Sequence, residues 1–400
     1  MGRKRIVVIG AGPLGLEAAL YAARLDHDVR VLEAGRVGEN VRRWGHVRLF
    51  SPFELNHSTL GAAAVIASGA RLPEASAILT GREHVEAYLA PLARAEPLRG
   101  RVEESVRVRQ IGRERLGKSS PFGEARTRFP FRLLVEGPEG ESVGNADVVI
   151  DASGTYGQPN WLGDGNIPAL GERALGERID HALVDIAAER AQLEGRRVLV
   201  VGSGYSATTA LDALCALDAV EVVWATRREG RCPYTVREDD PLPERARLGR
   251  LGNALAAGAD RRVEFREATV VERVLGRDRR LAVTLRGPAG EDTVEVDRIL
   301  AHVGCSPDNS LYRELQVHEC YASFGPMGLA AALLAEGEAD CLAQTSKGPE
   351  SLANPEPGFF LVGAKSYGRN SSFLVRIGIA QVRDVFRLIE RRPDLDLYSA

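Results

Sequence analysis

The feature that most constrains the fold is a glycine-rich turn close to the start of the chain. In the segment RIVVIGAGPLGLEAALYAARLDHDVRVLEAG, Gly10, Gly12 and Gly15 form a GxGxxG pattern. The apolar run Ile6–Ile9 precedes it, and apolar residues at helical spacing lead from it to a second run, Val29–Leu32. Strand, glycine turn, helix and strand in this order predict a βαβ unit of an α/β fold.

Each part of this first glycine turn (residues 10–15) has a separate physical role. Gly10 permits the tight turn, Gly12 lets the backbone approach a pyrophosphate, and Gly15 lets the helix pack close to the strand. Pro13 and Leu14, inside the turn, are predicted to contact the same cofactor as the glycines. The N-terminus of the helix offers free N–H groups and the positive end of the helix dipole to phosphates. The first glycine turn is therefore predicted to bind a dinucleotide.

An acidic residue, Glu33, ends the second predicted strand. Its carboxylate can accept hydrogen bonds from a ribose hydroxyl, and it would repel a 2′-phosphate. The first site is therefore predicted to bind FAD or NAD rather than NADP.

The pattern recurs in the segment RRVLVVGSGYSATTALDALCALDAVEVVWATRREG. Gly202, Gly204 and Ala207 form GxGxxA after an apolar run, and helical spacing follows again. Tyr205 and Ser206 lie inside this second glycine turn (residues 202–207). We expect these five residues to surround a second pyrophosphate.

No acid ends the strand that follows the second glycine turn. Arg227 and Arg228 come just beyond it. Arginine at this point can hold a 2′-phosphate by paired, charge-assisted hydrogen bonds, which predicts NADPH. The alternative is that both arginines only face solvent.

A chain with one acid-ended and one arginine-ended glycine turn resembles the two-dinucleotide-binding flavoproteins. That superfamily includes the disulfide reductases, the flavin-containing monooxygenases, the Baeyer–Villiger monooxygenases and the N-hydroxylating monooxygenases. The resemblance implies an α/β fold in which a three-layer, FAD-binding Rossmann-like domain carries an inserted NAD(P)H-binding Rossmann-like domain. It implies FAD at the first glycine turn and NADPH at the second.

Two β-hairpins indicate where the inserted domain begins and ends. Each has a GPxG turn and runs into an apolar strand, and a glycine and a proline follow (Gly154 with Pro159, Gly304 with Pro307). In the family these are the points where the chain leaves and re-enters the FAD domain, so the resemblance implies that Gly154 contacts FAD. We predict an FAD domain over residues 1–160 and 301–400, and an NADPH domain over residues 161–300. A length of 400 residues also favours two domains.

A third segment, FFLVGAKSYGRNSSF, is the counterpart of the place where the family closes its fold around the flavin. The resemblance implies flavin contacts from Gly363 and Ala364. The disulfide reductases usually have an aspartate after this glycine, and here Ala364 and Lys365 follow instead. The departure favours the monooxygenase branches.

The polar residues after Gly363 are weak candidates for catalysis, namely Lys365, Tyr367, Arg369 and Asn370. They are predicted to form a polar loop that faces the flavin or its substrate, and the alternative is a solvent loop. Arg42 and Trp44, in the segment ENVRRWGHVRLF, lie where related proteins pass the flavin, so the resemblance implies FAD contacts. Trp44 can equally be a core residue.

One motif of the Baeyer–Villiger branch is only partly present. The segment ALGERIDHALVDI contains Gly176 and His181, but the spacing is one residue too long and both aromatic ends are missing. His181 is therefore either a functional residue or a polar residue of a connector.

The cysteines exclude an internal dithiol of the usual kind. Cys215, Cys232, Cys305, Cys320 and Cys341 are widely spaced without a CxxC or CxxxxC pair, and neither a disulfide framework nor a metal site is expected. The leading hypothesis is a monooxygenase that oxygenates a small molecule at nitrogen, sulfur or a carbonyl through a flavin hydroperoxide. The alternatives are an NADPH-dependent reductase of a small disulfide or other acceptor, and a non-catalytic, flavin-bound redox sensor.

Composition and charge limit the classes of binding partner that we expect. A formal net charge of -3 with interspersed charges argues against nucleic-acid binding. No apolar stretch approaches the ~20 residues that span a bilayer. The basic start and the apolar run after it imitate a signal peptide, but the first glycine turn splits that run, so we expect a cytoplasmic protein. Its partners are predicted to be a small-molecule substrate and O2, and the resemblance allows a homodimer.

Overall fold

The computed structural model describes residues 2–335, 342 and 344–399. The strands are β1 (Arg5–Ile9), β2 (Asp28–Leu32), β3 (Val102–Glu103), β4 (Arg107–Arg113), β5 (Phe131–Gly137), β6 (Gly140–Ala146), β7 (Val148–Asp151), β8 (Ile179–Asp180), β9 (Arg197–Val201), β10 (Glu221–Ala225), β11 (Val263–Arg266), β12 (Val270–Arg277), β13 (Arg280–Gly287), β14 (Gly290–Val296), β15 (Arg298–Ala301) and β16 (Phe359–Leu361). The α-helices are α1 (Pro13–Arg24), α2 (Glu39–Arg43), α3 (Thr59–Ala67), α4 (Gly81–His84), α5 (Ala90–Arg94), α6 (Glu172–Leu175), α7 (Arg190–Leu193), α8 (Tyr205–Cys215), α9 (Pro243–Ala256), α10 (Met327–Ala335), α11 (Ala364–Tyr367) and α12 (Val375–Glu390).

The chain folds into two compact units. The first unit comprises Met1–Gly45, Ser51–Gln158 and Ser306–Ala400, and the second comprises His46–Phe50 and Pro159–Cys305. The predicted boundaries at 160/161 and 300/301 lie a few residues from these. The inclusion of residues 46–50 in the second unit had no sequence signal. Which unit takes FAD and which takes NADPH stays a prediction.

The first unit is built on a parallel sheet with the order β16-β7-β1-β2-β3. An antiparallel meander, β4-β5-β6, accompanies this sheet. β1 forms because its apolar residues are buried on both faces, as in sheets covered on both sides. Helices α1 and α12 pack together, and Val8, Leu16 and Val385 belong to one buried cluster.

The second unit repeats this plan with its own core. Its parallel sheet has the order β11-β10-β9-β15-β8, and β12-β13-β14 form an antiparallel meander. Leu211 of α8, Leu255 of α9 and Trp224 of β10 are fully or almost fully buried in one cluster. The α/β class with Rossmann-like units is therefore confirmed, and β1 and β2 each begin one residue before the predicted runs. In the described part of the chain, no helix has both the length and the apolar character needed to cross a membrane.

Candidate functional site

The first glycine turn follows β1 and begins α1. Gly10 has φ +95°, and a Cβ atom on it would lie 3.0 Å from the carbonyl oxygen of Ala152. A Cβ atom on Gly15 would lie 1.8 Å from the carbonyl oxygen of Gly10, so only glycine fits there. A Cβ atom on Gly12 would meet nothing within 4 Å. The turn is therefore closed toward the protein and open at Gly12, where a pyrophosphate would need room.

Glu33, just after β2, is held against the first glycine turn. Its Oε2 accepts a hydrogen bond of 2.7 Å from the Ala11 N–H, and its Oε1 accepts one of 2.8 Å from the Gly35 N–H. These bonds orient the carboxylate beside the turn. Because each carboxylate oxygen has two acceptor positions, both oxygens can still receive a ribose hydroxyl.

Arg42 and Trp44 lie at the end of α2. The Arg42 Nε donates to the Val37 carbonyl at 2.9 Å. The Trp44 ring packs so closely on Gly81 that an added Cβ atom would lie 2.7 Å from it. The buried indole Nε1 of Trp44 has no hydrogen-bond partner among the described residues. The ring is thus part of the packing, while its N–H remains a donor for a bound group.

Two further glycines occupy the same edge of the first sheet. Gly154, after β7, has φ +73° and open space at its Cβ position. Gly363, after β16, has φ +72°, and its N–H donates to the Gln381 Oε1 at 2.9 Å. Leu14 lies against Gly363, at 3.4 Å from an added Cβ atom, and Ala364 begins α11. Ligands of parallel sheets bind at this carboxyl edge, where the strand order reverses between β1 and β7.

The segment after Gly363 is not the polar loop that the sequence suggested, because it forms α11. Lys365 is buried there, and its Nζ lies 2.7 Å from the Asp151 Oδ2, with both side chains inaccessible to solvent. The same ammonium group donates to the Ser153 Oγ at 3.0 Å and to the Asp308 carbonyl at 2.8 Å. The ammonium group therefore has two hydrogen-bond acceptors and a close carboxylate within the protein. A catalytic role for Lys365 stays a prediction.

The other three candidates of that segment differ in their burial and in their contacts. Tyr367 is buried, and its hydroxyl donates to the Gln344 Oε1 at 3.2 Å. Arg369 is exposed, with its guanidinium 4.3 Å from the centre of the Phe324 ring. Asn370 is exposed, and its side chain accepts a bond from the backbone two residues later. None of these contacts tests a catalytic role, which stays a prediction for the three residues.

The second glycine turn reproduces the first within the second unit. Gly202 has φ +133°, and a Cβ atom on it would lie 2.2 Å from the His302 carbonyl oxygen. A Cβ atom on Gly204 would meet nothing within 4 Å, while Ala207 is fully buried under the turn. Ser206 is exposed in the first turn of α8. This turn, too, is open where a pyrophosphate would lie.

Aromatic side chains support the second glycine turn. The Tyr205 ring lies 5.5 Å from the rings of both Phe50 and Tyr234, measured between centroids. The Tyr234 hydroxyl donates to the Gly204 carbonyl at 3.0 Å and accepts a bond from the Thr208 hydroxyl. Tyr234 was missed from the sequence because it lies 30 residues beyond the turn, in an irregular segment with no motif.

Arg227 and Arg228 follow β10 and are exposed. Neither guanidinium group takes part in a hydrogen bond or ion pair within the described ranges, although most arginines of the second unit are paired with acids. The two groups are therefore available to an anionic ligand.

The described cysteines, Cys215, Cys232, Cys305 and Cys320, are free thiols, and Cys341 lies outside the described residues. Burial raises the pKa of the Cys305 thiol. Hydrogen bonds from Ser323 lower the pKa of the Cys320 thiol. Within the described ranges no group of His, Cys, Asp and Glu side chains is arranged to hold a metal ion.

Comparisons with known proteins agree with this geometry. Residues 7–118 match the family model described as pyridine nucleotide-disulphide oxidoreductase. No curated protein sequence matches the chain. Among solved structures, the chain is similar to the bacillithiol disulfide reductase of Bacillus cereus, with 16% identity and a TM-score of 0.71, over 98% of this chain and 100% of that one.

Two monooxygenases are also similar. The ornithine N-hydroxylase of Kutzneria sp. 744, solved with reduced FAD, NADP+ and L-ornithine, is 16% identical with a TM-score of 0.61, over 98% of this chain and 100% of that one. A flavin monooxygenase from Stenotrophomonas maltophilia is 19% identical with a TM-score of 0.57, over 98% of this chain and 99% of that one. The resemblance to the two-dinucleotide-binding flavoproteins is confirmed at the level of the fold. The similar structures include both monooxygenases and a disulfide reductase, and their similarity to this chain concerns the fold.

Proposed function

We propose that the protein is an oxidoreductase that binds FAD at the first glycine turn and NADPH at the second. The observation that carries this proposal is the pair of matched turns. Each closes tightly on the neighbouring strand and leaves open space at its middle glycine, Gly12 or Gly204. One turn adjoins an oriented carboxylate, Glu33, and the other adjoins two exposed arginines, Arg227 and Arg228.

The residues of the first unit suit FAD. The helix α1 N-terminus would face the pyrophosphate, Glu33 would accept the ribose hydroxyls, and the Trp44 N–H would find an acceptor. Gly154 and Gly363, at the same edge of the sheet, have no side chains that would obstruct the ligand. When bound, FAD supplies the exchange of electrons between a pyridine nucleotide and an acceptor, and the protein positions the reactants and excludes water.

For the acceptor, we propose O2, which makes the protein a monooxygenase of a small molecule at nitrogen, sulfur or a carbonyl. The sequence has no CxxC or CxxxxC pair that could carry electrons out of the flavin site. At the first glycine turn, the residue closest to Gly363 is the apolar Leu14. These features favour a diffusible acceptor over an internal dithiol.

A second candidate is an NADPH-dependent reductase of a small disulfide. The similarity in fold to a bacillithiol disulfide reductase favours it, and such an enzyme would also have to work without a CxxC pair. The third, a flavin-bound redox sensor, would bind both nucleotides without turnover.

Oxygen and NADPH consumption separate the three. For the monooxygenase, NADPH oxidation should consume O2 and rise with an added nucleophile such as a primary amine or a thioether, and an oxygenated product should form. Anaerobic turnover with small disulfides would assign the reductase. Absence of turnover in both conditions would assign the sensor.

The NADPH site has its own test. The double variant Arg227→Ala/Arg228→Ala should weaken NADPH binding by about a hundred-fold or more, since hydrogen bonds to charged groups contribute roughly 1.5–3 kcal/mol each and the variant removes those of two arginines. NADH affinity should change little, because NADH lacks the 2′-phosphate. Arg231→Ala, another exposed arginine of the same segment, is the matched control. Equal losses for NADPH and NADH would contradict the assigned role.

A further inference from the structure

A histidine stands directly beside the second glycine turn. His302 is the first residue after β15, and Gly202 is the first residue after β9; the last register pair of these strands is Ala301 with Val201. The His302 N–H donates to the Val201 carbonyl at 2.8 Å. A Cβ atom on Gly202 would lie 3.5 Å from the His302 Cβ, so the imidazole begins next to the turn.

One ring nitrogen of His302 is buried without a hydrogen-bond partner. Only 7% of the residue is exposed, and its Nε2 has no hydrogen-bond partner among the described residues. His181 is the first residue after the neighbouring strand β8, and its buried Nδ1 also has no hydrogen-bond partner among the described residues. A buried polar atom without a partner costs about 1–3 kcal/mol, so in native proteins it usually has a ligand or water to bind.

Both rings are neutral near pH 7. The pKa of His302 is lowered to about 4, mainly by burial; Asp180 opposes this shift and nearby His181 adds to it. Burial also lowers the pKa of His181. The carboxylate of Asp180 is occupied by Arg298, at 2.6 Å. A neutral imidazole has one N–H donor and one nitrogen acceptor, which suits an uncharged polar ligand group.

The equivalent position of the first unit carries no such group. A Cβ atom on Gly10 would meet Ala152 just as one on Gly202 would meet His302. The two units therefore share the turn and differ at this point by an alanine and a histidine. A role in building the turn would apply to both units, so the histidine points to something particular to the second ligand.

The order of the strands says which part of that ligand lies near His302. β9 lies between β10 and β15 in the sheet, and the chain order reverses between β9 and β15. Arg227 and Arg228 follow β10, on one side of the second glycine turn. His302 and His181 follow β15 and β8, on the other side. A dinucleotide with its pyrophosphate at the turn and its 2′-phosphate at the arginines extends its nicotinamide half toward the histidines.

We propose that His302, with His181 beside it, binds the nicotinamide riboside half of NADPH by a hydrogen bond to the carboxamide or to a ribose hydroxyl. The proposal rests on the NADPH site proposed above and adds its second half. In this proposal the arginines bind the adenosine end of NADPH and the histidines bind the nicotinamide end, and both groups contribute to the affinity.

The contributions of the two ends can be measured separately by calorimetric titration of the full-length protein with two ligands. NADP+ contains both ends, and 2′,5′-ADP contains only the adenosine end with its 2′-phosphate. His302→Phe should weaken NADP+ by about three- to ten-fold, the range for one lost neutral hydrogen bond, and leave 2′,5′-ADP unchanged. His302→Gln keeps a donor and an acceptor and should recover part of the loss. Arg227→Ala should weaken both ligands.

The matched control is His84→Phe. His84 is also buried with ring nitrogens that lack partners in the described structure, but it belongs to the first unit, so NADP+ affinity should not change. If His302→Phe does not fold, as judged by circular dichroism, His302→Ala is measured in its place with the same expectation. Unchanged NADP+ affinity, or equal losses for both ligands, would overturn the role of His302. Failure of the unmodified protein to bind either ligand would overturn the NADPH site itself and the role of His302 with it.

Discussion

Replacing Lys365 by methionine should be one of the most destabilising single changes in the first unit. The Lys365 Nζ and the Asp151 Oδ2 are 2.7 Å apart and both side chains are inaccessible to solvent. Methionine would leave the Asp151 carboxylate buried without a counter-charge, and breaking a buried pair in this way costs about 3–5 kcal/mol. Asp151→Asn should cost a similar amount, because it leaves a buried ammonium group.

The double variant Asp151→Asn/Lys365→Met should be more stable than the sum of the single losses predicts. It removes both buried charges, and the amide oxygen of the introduced asparagine can still accept the bond that the Ser153 N–H now gives to Asp151 at 3.0 Å. What remains is the loss of the ammonium donor to the Ser153 hydroxyl and the Asp308 carbonyl, at about 1–3 kcal/mol for a buried group left unpaired.

Urea unfolding at constant pH, followed by circular dichroism, measures all four proteins. The exposed pair Arg30–Glu103 is the control: its atoms also lie 2.7 Å apart, but the side chains are 47% and 38% exposed. Arg30→Met should therefore cost no more than about 1 kcal/mol. Strictly additive losses in the double variant, or a Lys365→Met loss no larger than that of Arg30→Met, would refute the account of the buried pair.

Further predictions concern α1. The Glu17 carboxyl group is buried and accepts a hydrogen bond from the Ser58 hydroxyl at 2.8 Å, and burial raises its pKa from 4.5 to about 7. Its protonated form thus contributes about 3 kcal/mol of stability, which is complete below about pH 4.5 and is lost as the pH rises through about 7. Glu17→Gln should remove this pH dependence from the free energy of unfolding, and an unchanged pH dependence would contradict it. Gly15→Ala should impair folding itself, because its Cβ atom would lie 1.8 Å from the Gly10 carbonyl oxygen, and a melting temperature equal to that of the unmodified protein would exclude this clash. Gly12→Ala has space in the protein and should keep the melting temperature of the FAD-free form while lowering FAD affinity, so unchanged FAD affinity would count against the first glycine turn as the pyrophosphate site.

Local patterns predicted the two glycine turns, since a turn between a buried strand and a helix depends on residues close together in the sequence. Gly10, Gly15 and Gly202 have the tight surroundings that the GxGxx pattern implied. The two hairpins with GPxG turns were also readable, because a short turn sets the register of the strands beside it.

Contacts between segments that are distant in the chain could not be predicted from the sequence. Lys365 follows a glycine among polar residues and so suggested a loop, but it lies in α11 and its partner Asp151 ends β7, and nothing in either segment indicates the pairing. Tyr234 and His302 lie beside the second glycine turn, yet each is brought there by the packing of the unit. A partnerless buried nitrogen can be found only when the surroundings of the atom are known.

The central claim is that one chain holds FAD and NADPH so that electrons pass between them, and anaerobic spectroscopy tests it most directly. The purified protein should carry one FAD for each chain, and NADPH added without oxygen should bleach the visible absorption of that flavin. A colourless protein that takes up no FAD from an excess, or an FAD-loaded protein whose spectrum NADPH leaves unchanged, would contradict the account.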